Sequence, residues 1–315
     1  MSRPVQSVAL LGATGNLGSH ILRALKKSGY TVTAVQRKES PNAAPAEADD
    51  SVKVNLSNKD ELASVFKGKD AVVSAVPNPT LPDSKAMIDA AIAASVKRII
   101  PSEYSTNLEN TLTQKLPVVT EKVKIRQYLT SVIPSTTSST TWTSINNGPF
   151  FEMVFKFGSL GPNLAEKKAV FHNGGDNYVG VSRLSDIGVA VAKVLSPEHF
   201  KETENQPVYI YSAAITQRYL TRLAAEVTGI DFGTVEDGRI ADVDTDDMVR
   251  MADEKVAKGD MSAIFLYYFQ IMFGRGYGGD FRNIAWNERL GLKTLTEEEL
   301  KDFIRQTAKE LGVLQ

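Results

Sequence analysis

The stretch that decides the fold lies near the start of the chain and reads Val8-Ala9-Leu10-Leu11-Gly12-Ala13-Thr14-Gly15-Asn16-Leu17-Gly18. Its four leading apolar residues predict a buried strand that stops at Gly12. Apolar residues then recur at helical spacing from Leu17 to Leu25 and predict a helix that ends at Gly29. A strand, a glycine turn and a helix in this order are typical of a parallel sheet built from strand–helix–strand units.

The same alternation continues over the first hundred residues. The further predicted strands are residues 31–35, 52–54, 71–76 and 98–100. Helical patterns lie between them, and the spacings leave room for the long crossovers that parallel neighbours need. The predicted fold is therefore a doubly wound α/β (Rossmann) sheet with helices on both faces.

After Pro101 the rhythm changes, which predicts a second, smaller and mainly helical domain. The first domain takes residues 1–150, and we expect residues 185–212, a helix and a strand, to return to its sheet. The second domain takes residues 151–184 and 213–315. Its last helix opens with the capping box Thr296-Glu297-Glu298-Glu299.

The composition of the 315-residue chain excludes several classes of protein. The 36 basic and 37 acidic side chains leave a net charge of −1, so we expect neither a nucleic acid nor a membrane partner. Cysteine is absent, which excludes disulfides and thiolate catalysis. The apolar run at residues 262–273 is shorter than the roughly 18 residues that a membrane span needs. We expect a soluble cytoplasmic protein, either a monomer or a homodimer.

The glycines of the opening stretch follow the spacing G-x-x-G-x-x-G between the strand and the helix. One glycine allows the tight turn, one lets backbone amides approach a pyrophosphate, and one lets the helix pack against the strand. The free amides of the helix N-terminus add partial positive charge. The loop therefore predicts a dinucleotide site with contacts from Gly12, Thr14, Gly15, Asn16, Leu17 and Gly18.

The end of the second strand indicates which dinucleotide binds. A site for NAD usually carries a carboxylate there for the ribose hydroxyls. This chain has Arg37 and Lys38 and no carboxylate before Glu39. Because two cations would pair with a 2′-phosphate, we predict NADP(H) as the cofactor, with Arg37 and Lys38 as contacts.

Familiar catalytic motifs are absent from the sequence. None of the ten tyrosines has a lysine four residues later, and G-x-S-x-G, Walker and H-E-x-x-H motifs do not occur. The three histidines are scattered, so we expect no metal site. Hydride transfer needs no metal, because the cofactor carries that step.

Three motifs together resemble a known family: GATGNLG at residues 12–18, PSEY at 101–104 and EKVKIR at 121–126. They look like the NmrA-like, isoflavone-reductase-like group of atypical short-chain dehydrogenases. That group includes phenylcoumaran benzylic ether, pinoresinol–lariciresinol and isoflavone reductases and CipA-like oxidoreductases. The resemblance runs from about residue 5 to residue 211 and is weaker in the last third of the chain.

The resemblance implies a catalytic lysine on the helix after the P-S-E turn, and that position is Lys122. A free lysine has a pKa near 10.4, so a role as base at neutral pH would need a depression of about three units. A role as ammonium donor to an oxygen that gains negative charge needs no shift. We therefore predict that Lys122 contacts the cofactor site and donates a proton or hydrogen bond to substrate, directly or through water.

The resemblance and the sheet geometry imply further site residues. The additional predicted cofactor contacts are Ala75, Val76, Ser102, Asn147, Gly148 and Pro149. The predicted substrate contacts are Glu103, Tyr104, Phe150, Phe151, Tyr268 and Phe269. The segment 146–149 departs from the aromatic reductases, which puts the identity of the substrate in doubt. The aromatic run at residues 265–273 fits either a buried core helix or a lid over the substrate.

The leading hypothesis is an NADPH-dependent reductase of a small aromatic or conjugated secondary metabolite. The bond reduced could be C=O, C=N, an activated C=C or a benzylic ether, and the sequence does not choose among them. One alternative is a non-catalytic NADP-sensing regulatory protein of the NmrA type. A second alternative is an isomerase or cyclase that uses the cofactor structurally.

Overall fold

The computed structural model describes residues 4–77 and 80–315. They divide into two compact units of similar size. Unit 1 consists of Met1–Tyr104, Thr120–Asn146 and Leu184–Val208. Unit 2 consists of Ser105–Val119, Asn147–Arg183 and Tyr209–Gln315.

The elements follow each other along the chain with these bounds. The strands are β1 Ser7–Leu11, β2 Thr31–Arg37, β3 Asp50–Val54, β4 Ala71–Ser74, β5 Arg98–Ile100, β6 Thr141–Asn146, β7 Pro162–Asn163, β8 Lys168–His172, β9 Val179–Val181, β10 Gln206–Tyr209, β11 Ala213–Ile215 and β12 Ala241–Val243. The α-helices are α1 Asn16–Lys27, α2 Lys59–Phe66, α3 Leu81–Ala93, α4 Thr120–Val132, α5 Phe151–Lys156, α6 Leu184–Val194, α7 Gln217–Thr228, α8 Thr245–Ala257, α9 Tyr267–Phe273 and α10 Glu297–Glu310. Short 3-10 helices lie at Thr113–Lys115, Pro117–Val119, Asn173–Gly175 and Met261–Leu266.

Unit 1 is built on a seven-stranded sheet in the order β10-β6-β5-β4-β1-β2-β3. The ladders that join β3, β2, β1, β4, β5 and β6 are all parallel. This arrangement confirms the predicted doubly wound α/β fold. The strand order reverses between β1 and β4, and ligands of such sheets bind outside the carboxyl ends of the strands at that point.

Helices cover both faces of this sheet because each buries an apolar stripe. On one face, α1 buries Ile21, Leu22 and Leu25 completely. Helix α6 packs against α1, and the approach is so close that a Cβ on Gly188 would lie 2.6 Å from the His20 carbonyl oxygen. On the other face, side chains of α2, α3 and α4 enclose a second core that includes Phe66.

Unit 2 combines helices with two small sheets. Strands β11 and β9 pair antiparallel, while β8 lies between β12 and β7 in a three-stranded sheet. Apolar side chains from α5, α7 and α10 fill the core of this unit. The predicted capping box at Thr296 is confirmed, since Thr296 and Glu299 each bind the other's backbone amide.

The aromatic run that fitted either a core helix or a lid lies mostly inside unit 2. It forms the end of a 3-10 helix and then α9, in which Tyr267, Ile271 and Phe273 are almost fully buried. Phe265 is exposed, and Tyr268 and Phe269 are half-buried. The segment is therefore a core helix over most of its length.

Helix α3 begins at Leu81, and Pro82 lies in its first turn, where a proline interrupts no backbone hydrogen bond. The glycine-rich stretch after Gly148 contains α5 and β7 to β9. No helix in the described ranges is long and apolar enough to cross a bilayer.

Candidate active site

The glycine loop between β1 and α1 requires glycine at two of its positions. Gly12 has a φ of +79°, and a Cβ there would lie 2.7 Å from the Ala75 carbonyl oxygen. A Cβ on Gly18 would lie 1.9 Å from the Gly12 carbonyl oxygen. A side chain at either position would collide with backbone, so this close packing of turn, helix and β4 depends on glycine.

Within the described residues, the N-terminus of α1, with Gly15 as its cap residue, has neither a side-chain cap nor an acidic side chain in its first turn. Side chains do cap α2, α7, α8 and α10, which shows that the chain closes other helices in the usual way. The open amides of α1 and the glycine cradle therefore fit the pyrophosphate of a dinucleotide.

The end of β2 presents the two predicted phosphate contacts to solvent. Arg37 and Lys38 are exposed. The residue before them, Gln36, is buried, and its amide donates to the backbone oxygens of Asn42 and Ala43 at 3.3 Å. Gln36 thus holds the loop that follows β2.

That loop also reaches the glycine loop. The Asn42 side chain donates to the Thr14 hydroxyl at 3.0 Å. Sequence reasoning missed both Gln36 and Asn42, because the hydrogen bonds of these amides depend on the folded loop and follow no motif. Their effect is to join the loop after β2 to the glycine loop.

The carboxyl ends of β4 and β5 meet at the edge of the sheet. Ala75 is buried, and its amide donates to the Leu11 carbonyl oxygen at 2.9 Å. The Ser102 hydroxyl donates to the Val76 carbonyl oxygen at 2.6 Å. These hydrogen bonds join the backbone after β4 to β1 and to the turn after β5, and they hold it in place at the edge where ligands bind.

Lys122 lies in the first turns of α4 and points at that turn. It is half-buried, and its Nζ donates to the Glu103 carbonyl oxygen at 2.6 Å. Burial lowers the pKa of Lys122 to about 8, against the Glu103 carboxylate, which raises it. Lys124, two residues later, is exposed and pairs with Glu121.

A buried ion pair lies next to this lysine. The Arg126 Nε donates to the Glu103 carboxylate at 3.0 Å, and a second guanidinium nitrogen binds the other carboxylate oxygen. The same guanidinium donates to the Ser144 hydroxyl at 2.6 Å and lies over the Trp142 ring. Sequence reasoning missed Arg126, although its position four residues after Lys122 puts both on one helix face.

This pairing changes the interpretation of Glu103. Glu103 was predicted to contact substrate, whereas its carboxylate is buried and held by Arg126. A carboxylate engaged in this way is not available to bind substrate. Glu103 is therefore better placed to shape the turn than to contact a ligand.

Tyr104 completes the turn in a strained conformation. Its φ is +26°, which a residue with a side chain rarely adopts. Its side chain is buried, and the hydroxyl has no hydrogen-bond partner among the described residues. Burial raises the pKa of Tyr104, so the hydroxyl keeps its proton and is a potential donor.

In unit 2, Asn147 and Gly148 form a second tight arrangement of backbone. Their amides both donate to the Ser105 carbonyl oxygen at 2.9 Å. Gly148 has a φ of +62°, and a Cβ there would lie 2.0 Å from the Gly180 carbonyl oxygen. The Asn147 side-chain oxygen is buried without a partner in the described part of the chain. The predicted contacts at Asn147, Gly148 and Pro149 stay predictions.

The predicted substrate aromatics of unit 2 differ in exposure. Phe151 is fully buried and stacks on Phe303 at 4.1 Å, so it belongs to the core and we no longer expect it to touch substrate. Phe269 stacks on His172 at 4.6 Å. Phe150, Tyr268 and Phe269 are half-buried, and their substrate contacts stay predictions.

Comparison with protein families assigns the chain. The NmrA-like family matches residues 4–229. This chain belongs to the NmrA-like family. The match spans the glycine loop, the turn at Glu103, and α4 with Lys122, so the resemblance in these motifs is confirmed.

Curated proteins that are similar in sequence to this NmrA-like protein are named as an oxidoreductase and as a reductase. The oxidoreductase aprR of Aspergillus flavus is 29% identical over 299 residues, which cover 93% of this chain and 96% of that protein. A probable pinoresinol-lariciresinol reductase 3 of Arabidopsis thaliana is 27% identical over 215 residues, 64% of this chain and 66% of that protein.

Solved structures share the fold of this NmrA-like protein. AtPrR2 with NADP⁺ and (+)pinoresinol has a TM-score of 0.74 at 20% identity, covering 96% of this chain and all of that one (100%). The binary complex of leucoanthocyanidin reductase with NADPH from Vitis vinifera has a TM-score of 0.72 at 17% identity, with coverages of 95% and 99%.

Other candidate sites in this NmrA-like protein carry less chemistry. A cavity of about 270 Å³ in unit 2 is lined by Phe171, Arg218 and Arg222, and none of the predicted site residues borders it. Both arginines are already paired with carboxylates. Among residues 4–77 and 80–315, no three His, Asp or Glu side chains are grouped to hold a metal ion.

Proposed function

We propose that this protein is an NADPH-dependent reductase of a small aromatic or conjugated secondary metabolite, with Lys122 as the proton or hydrogen-bond donor. The observation that carries the proposal is the position of the Lys122 ammonium. It is desolvated, fixed by the Glu103 carbonyl, and located on the helix that follows the turn at the carboxyl edge of β5. Relatives named as oxidoreductases and as a pinoresinol-lariciresinol reductase support the reaction class and the aromatic substrate.

The residues that would hold the cofactor form two groups in unit 1. The cradle of Gly12, Gly15 and Gly18 and the open amides of α1 suit the pyrophosphate. Arg37 and Lys38 suit the 2′-phosphate, since charge-assisted bonds to phosphate are strong. When bound, NADPH supplies the hydride.

Lys122 supplies the complementary proton chemistry. With a pKa of about 8, it is mostly protonated at pH 7 and still acidic enough to give up its proton readily. A proton donor needs no pKa shift, yet burial brings the pKa of Lys122 close to the working pH. We propose that the ammonium donates to a substrate oxygen or nitrogen as negative charge develops there.

The first experiment is a substrate screen with the purified protein and NADPH. Aromatic ketones, imines, enones and benzylic ethers are offered in parallel, with NADPH consumption and product mass as readouts. A gain of two hydrogens in any product identifies net reduction. A product of unchanged mass would indicate an isomerase or cyclase, and tight NADPH binding without turnover across the panel would indicate a dinucleotide sensor.

The second experiment tests Lys122 once a substrate is known. Lys122→Met is expected to lower kcat by roughly 10²-fold or more, the scale of general acid catalysis, with NADPH affinity nearly intact. Lys124→Met, which alters an exposed lysine of the same helix, is the matched control and should retain full activity. In the wild type, kcat should fall as the pH rises through about 8, because the donor loses its proton. Full turnover by Lys122→Met would contradict the assignment.

A further inference from the structure

Two cations on one face of α4, Lys122 and Arg126, both bind Glu103. Lys122 binds the backbone oxygen of Glu103, and Arg126, one helical turn later, binds its carboxylate. The turn that carries Glu103 is tight, since the Glu103 amide donates to the Pro101 carbonyl oxygen at 2.8 Å and Tyr104 has a φ of +26°. The direction of the Glu103 carbonyl, and with it the place of the ammonium, is therefore fixed from both sides.

The carboxylate end of this arrangement is isolated from solvent. The Glu103 side chain is 3% exposed and that of Arg126 is 10% exposed. Arg126 is held in turn by the Ser144 hydroxyl at 2.6 Å and by the Trp142 ring, 4.7 Å from its guanidinium carbon. Breaking one member of such a pair leaves an uncompensated buried charge beside Lys122.

We infer that the Glu103–Arg126 ion pair is a positioning pair that fixes the Lys122 ammonium and sets its proton affinity. The inference rests on the proposed function, in which Lys122 is the donor. Glu103 and Arg126 act through Lys122 and do not themselves touch the reacting atoms. The Glu103 carboxylate favours the protonated form of Lys122, and the Arg126 guanidinium offsets that effect. The pair thereby determines both the position of the ammonium and the pH at which it loses its proton.

The other titratable groups on the elements around Lys122 are bound to partners of their own or belong to the same turn. Besides Lys122, the titratable groups on the turn, on α4 and on the packed helix α3 are Glu103, Tyr104, Glu121, Lys124, Arg126, Tyr128, Asp83, Lys85 and Asp89. Asp83 binds the hydroxyls of Ser57 and Thr80. Glu121 and Lys124 form an exposed pair, and Lys85 and Asp89 both bind the Tyr128 hydroxyl. Besides burial, the Glu103 carboxylate acts on the Lys122 pKa, and the Arg126 cation is paired with that carboxylate.

The test measures the protonation of Lys122 directly, without cofactor or substrate. A small acylating reagent labels the neutral amine, and peptide mass spectrometry gives the extent of labelling of Lys122 over a pH series, with exposed Lys201 as internal reference. The wild-type midpoint is expected near 8. Glu103→Gln removes the attractive charge and exposes Lys122 to the Arg126 cation, so the midpoint should fall by about one pH unit. Arg126→Met leaves the carboxylate unopposed, so the midpoint should rise by about as much.

Two further variants keep the test decisive. The double variant Glu103→Gln/Arg126→Met removes both charges and should bring the midpoint back towards the wild-type value. If Arg126→Met does not fold, the difference in midpoint between the double variant and Glu103→Gln measures the effect of Arg126. Lys124→Met breaks the exposed pair on the same helix and should leave the midpoint unchanged. The alkaline limb of the pH–rate profile should move in the same direction as the labelling midpoint in each variant.

The outcomes separate this inference from the proposed function. Unchanged midpoints in Glu103→Gln and Arg126→Met, or shifts in the same direction, would overturn the role of the pair. Opposite shifts together with full turnover in Lys122→Met would leave the pair as the determinant of the lysine's charge and would remove Lys122 from catalysis.

Discussion

At the scale of single residues, burial and a nearby charge act on the pKa of Lys122 in opposite directions. Desolvation lowers this pKa, while the Glu103 carboxylate raises it. The ammonium itself donates to the neutral Glu103 carbonyl oxygen. The effect of burial is larger, and the pKa of Lys122 is about 8. A charged Lys122 in this desolvated position lowers the free energy of unfolding of the protein.

That cost predicts a pH-dependent effect of Lys122→Met on stability. The folded pKa is about 8 and the ordinary value is 10.5, so below pH 8 the wild type carries the full penalty of a desolvated ammonium. Between these values the unfolded chain binds a proton that the folded chain has released, and the stability of the wild type rises with pH. Lys122→Met should therefore be more stable than wild type at pH 7, by up to about 3 kcal/mol.

Melting curves of both proteins from pH 7 to pH 10.5 give the measurement. Since all other groups titrate equally in the two proteins, the difference in melting temperature isolates this lysine. The difference should shrink as the pH rises through the window between the two pKa values. A difference that is constant over this range would mean that the Lys122 pKa is not depressed in the folded state.

The exposed cations after β2 lead to a second prediction at this scale. Arg37→Ala/Lys38→Ala should weaken NADPH binding by about 10- to 100-fold, because each charge-assisted bond to phosphate contributes about 1.5–3 kcal/mol before screening. NADH affinity should not change, since NADH has no 2′-phosphate. Lys27→Ala, at the exposed end of α1, is the control. Equal losses for the two cofactors, measured by titration calorimetry, would mean that these cations do not read the 2′-phosphate.

At the scale of elements, the β1–loop–α1 unit is the part of the molecule that its own sequence determines most completely. The strand, turn and helix agree with the predicted pattern because every feature involved is local: apolar runs, glycine spacing and a helix stop. The bounds of the short strands of unit 2 were not predictable in this way, since β7 and β9 are only two and three residues long and β9 pairs with the distant strand β11. The same limit hides Arg126, whose partner precedes it by 23 residues.

The close packing of this unit predicts the effect of Gly18→Ala. The new methyl group would lie 1.9 Å from the Gly12 carbonyl oxygen, so α1 must move away from the turn. Overpacking of this kind costs about 1–3 kcal/mol or more, and the displaced amides should lose at least ~10-fold in NADPH affinity. Gly29→Ala places a side chain at a positive φ of +84°, where the new methyl group meets nothing within 4 Å. It should cost stability while NADPH affinity stays unchanged. Equal NADPH affinities of Gly18→Ala and wild type would refute the role given to the cradle.

At the scale of the whole molecule, the chain passes back and forth between its two units. Unit 1 draws on three separate stretches of sequence, and so does unit 2. The sequence predicted the late return of a helix and a strand to the first sheet from their patterns alone. It did not predict that residues 105–119 leave unit 1, because nothing in their composition distinguishes them from a surface loop of the same unit.

This interleaving predicts that residues 1–150 do not fold independently, although they contain the glycine loop and Lys122. They lack α6, which covers α1 and accepts the buried Tyr30 hydroxyl bond at the Ala192 carbonyl oxygen, 3.1 Å away. Burial of the apolar face of α1 would be lost, and that burial is a large part of helix stability. We expect the fragment to show no cooperative thermal transition by circular dichroism and no NADPH binding. A cooperative melt with NADPH-dependent stabilisation would contradict this expectation.

The neighbour of β6 on the outer side of the sheet is β10, which follows it only after the chain has passed through unit 2. During synthesis on the ribosome, β6 emerges before β10. The backbone amide and carbonyl groups on its outer edge therefore have no partner strand until the intervening segment and β10 have been translated. An open strand edge is a template for pairing with a neighbouring nascent chain. We therefore expect the nascent chain to be more prone to aggregation than the folded protein.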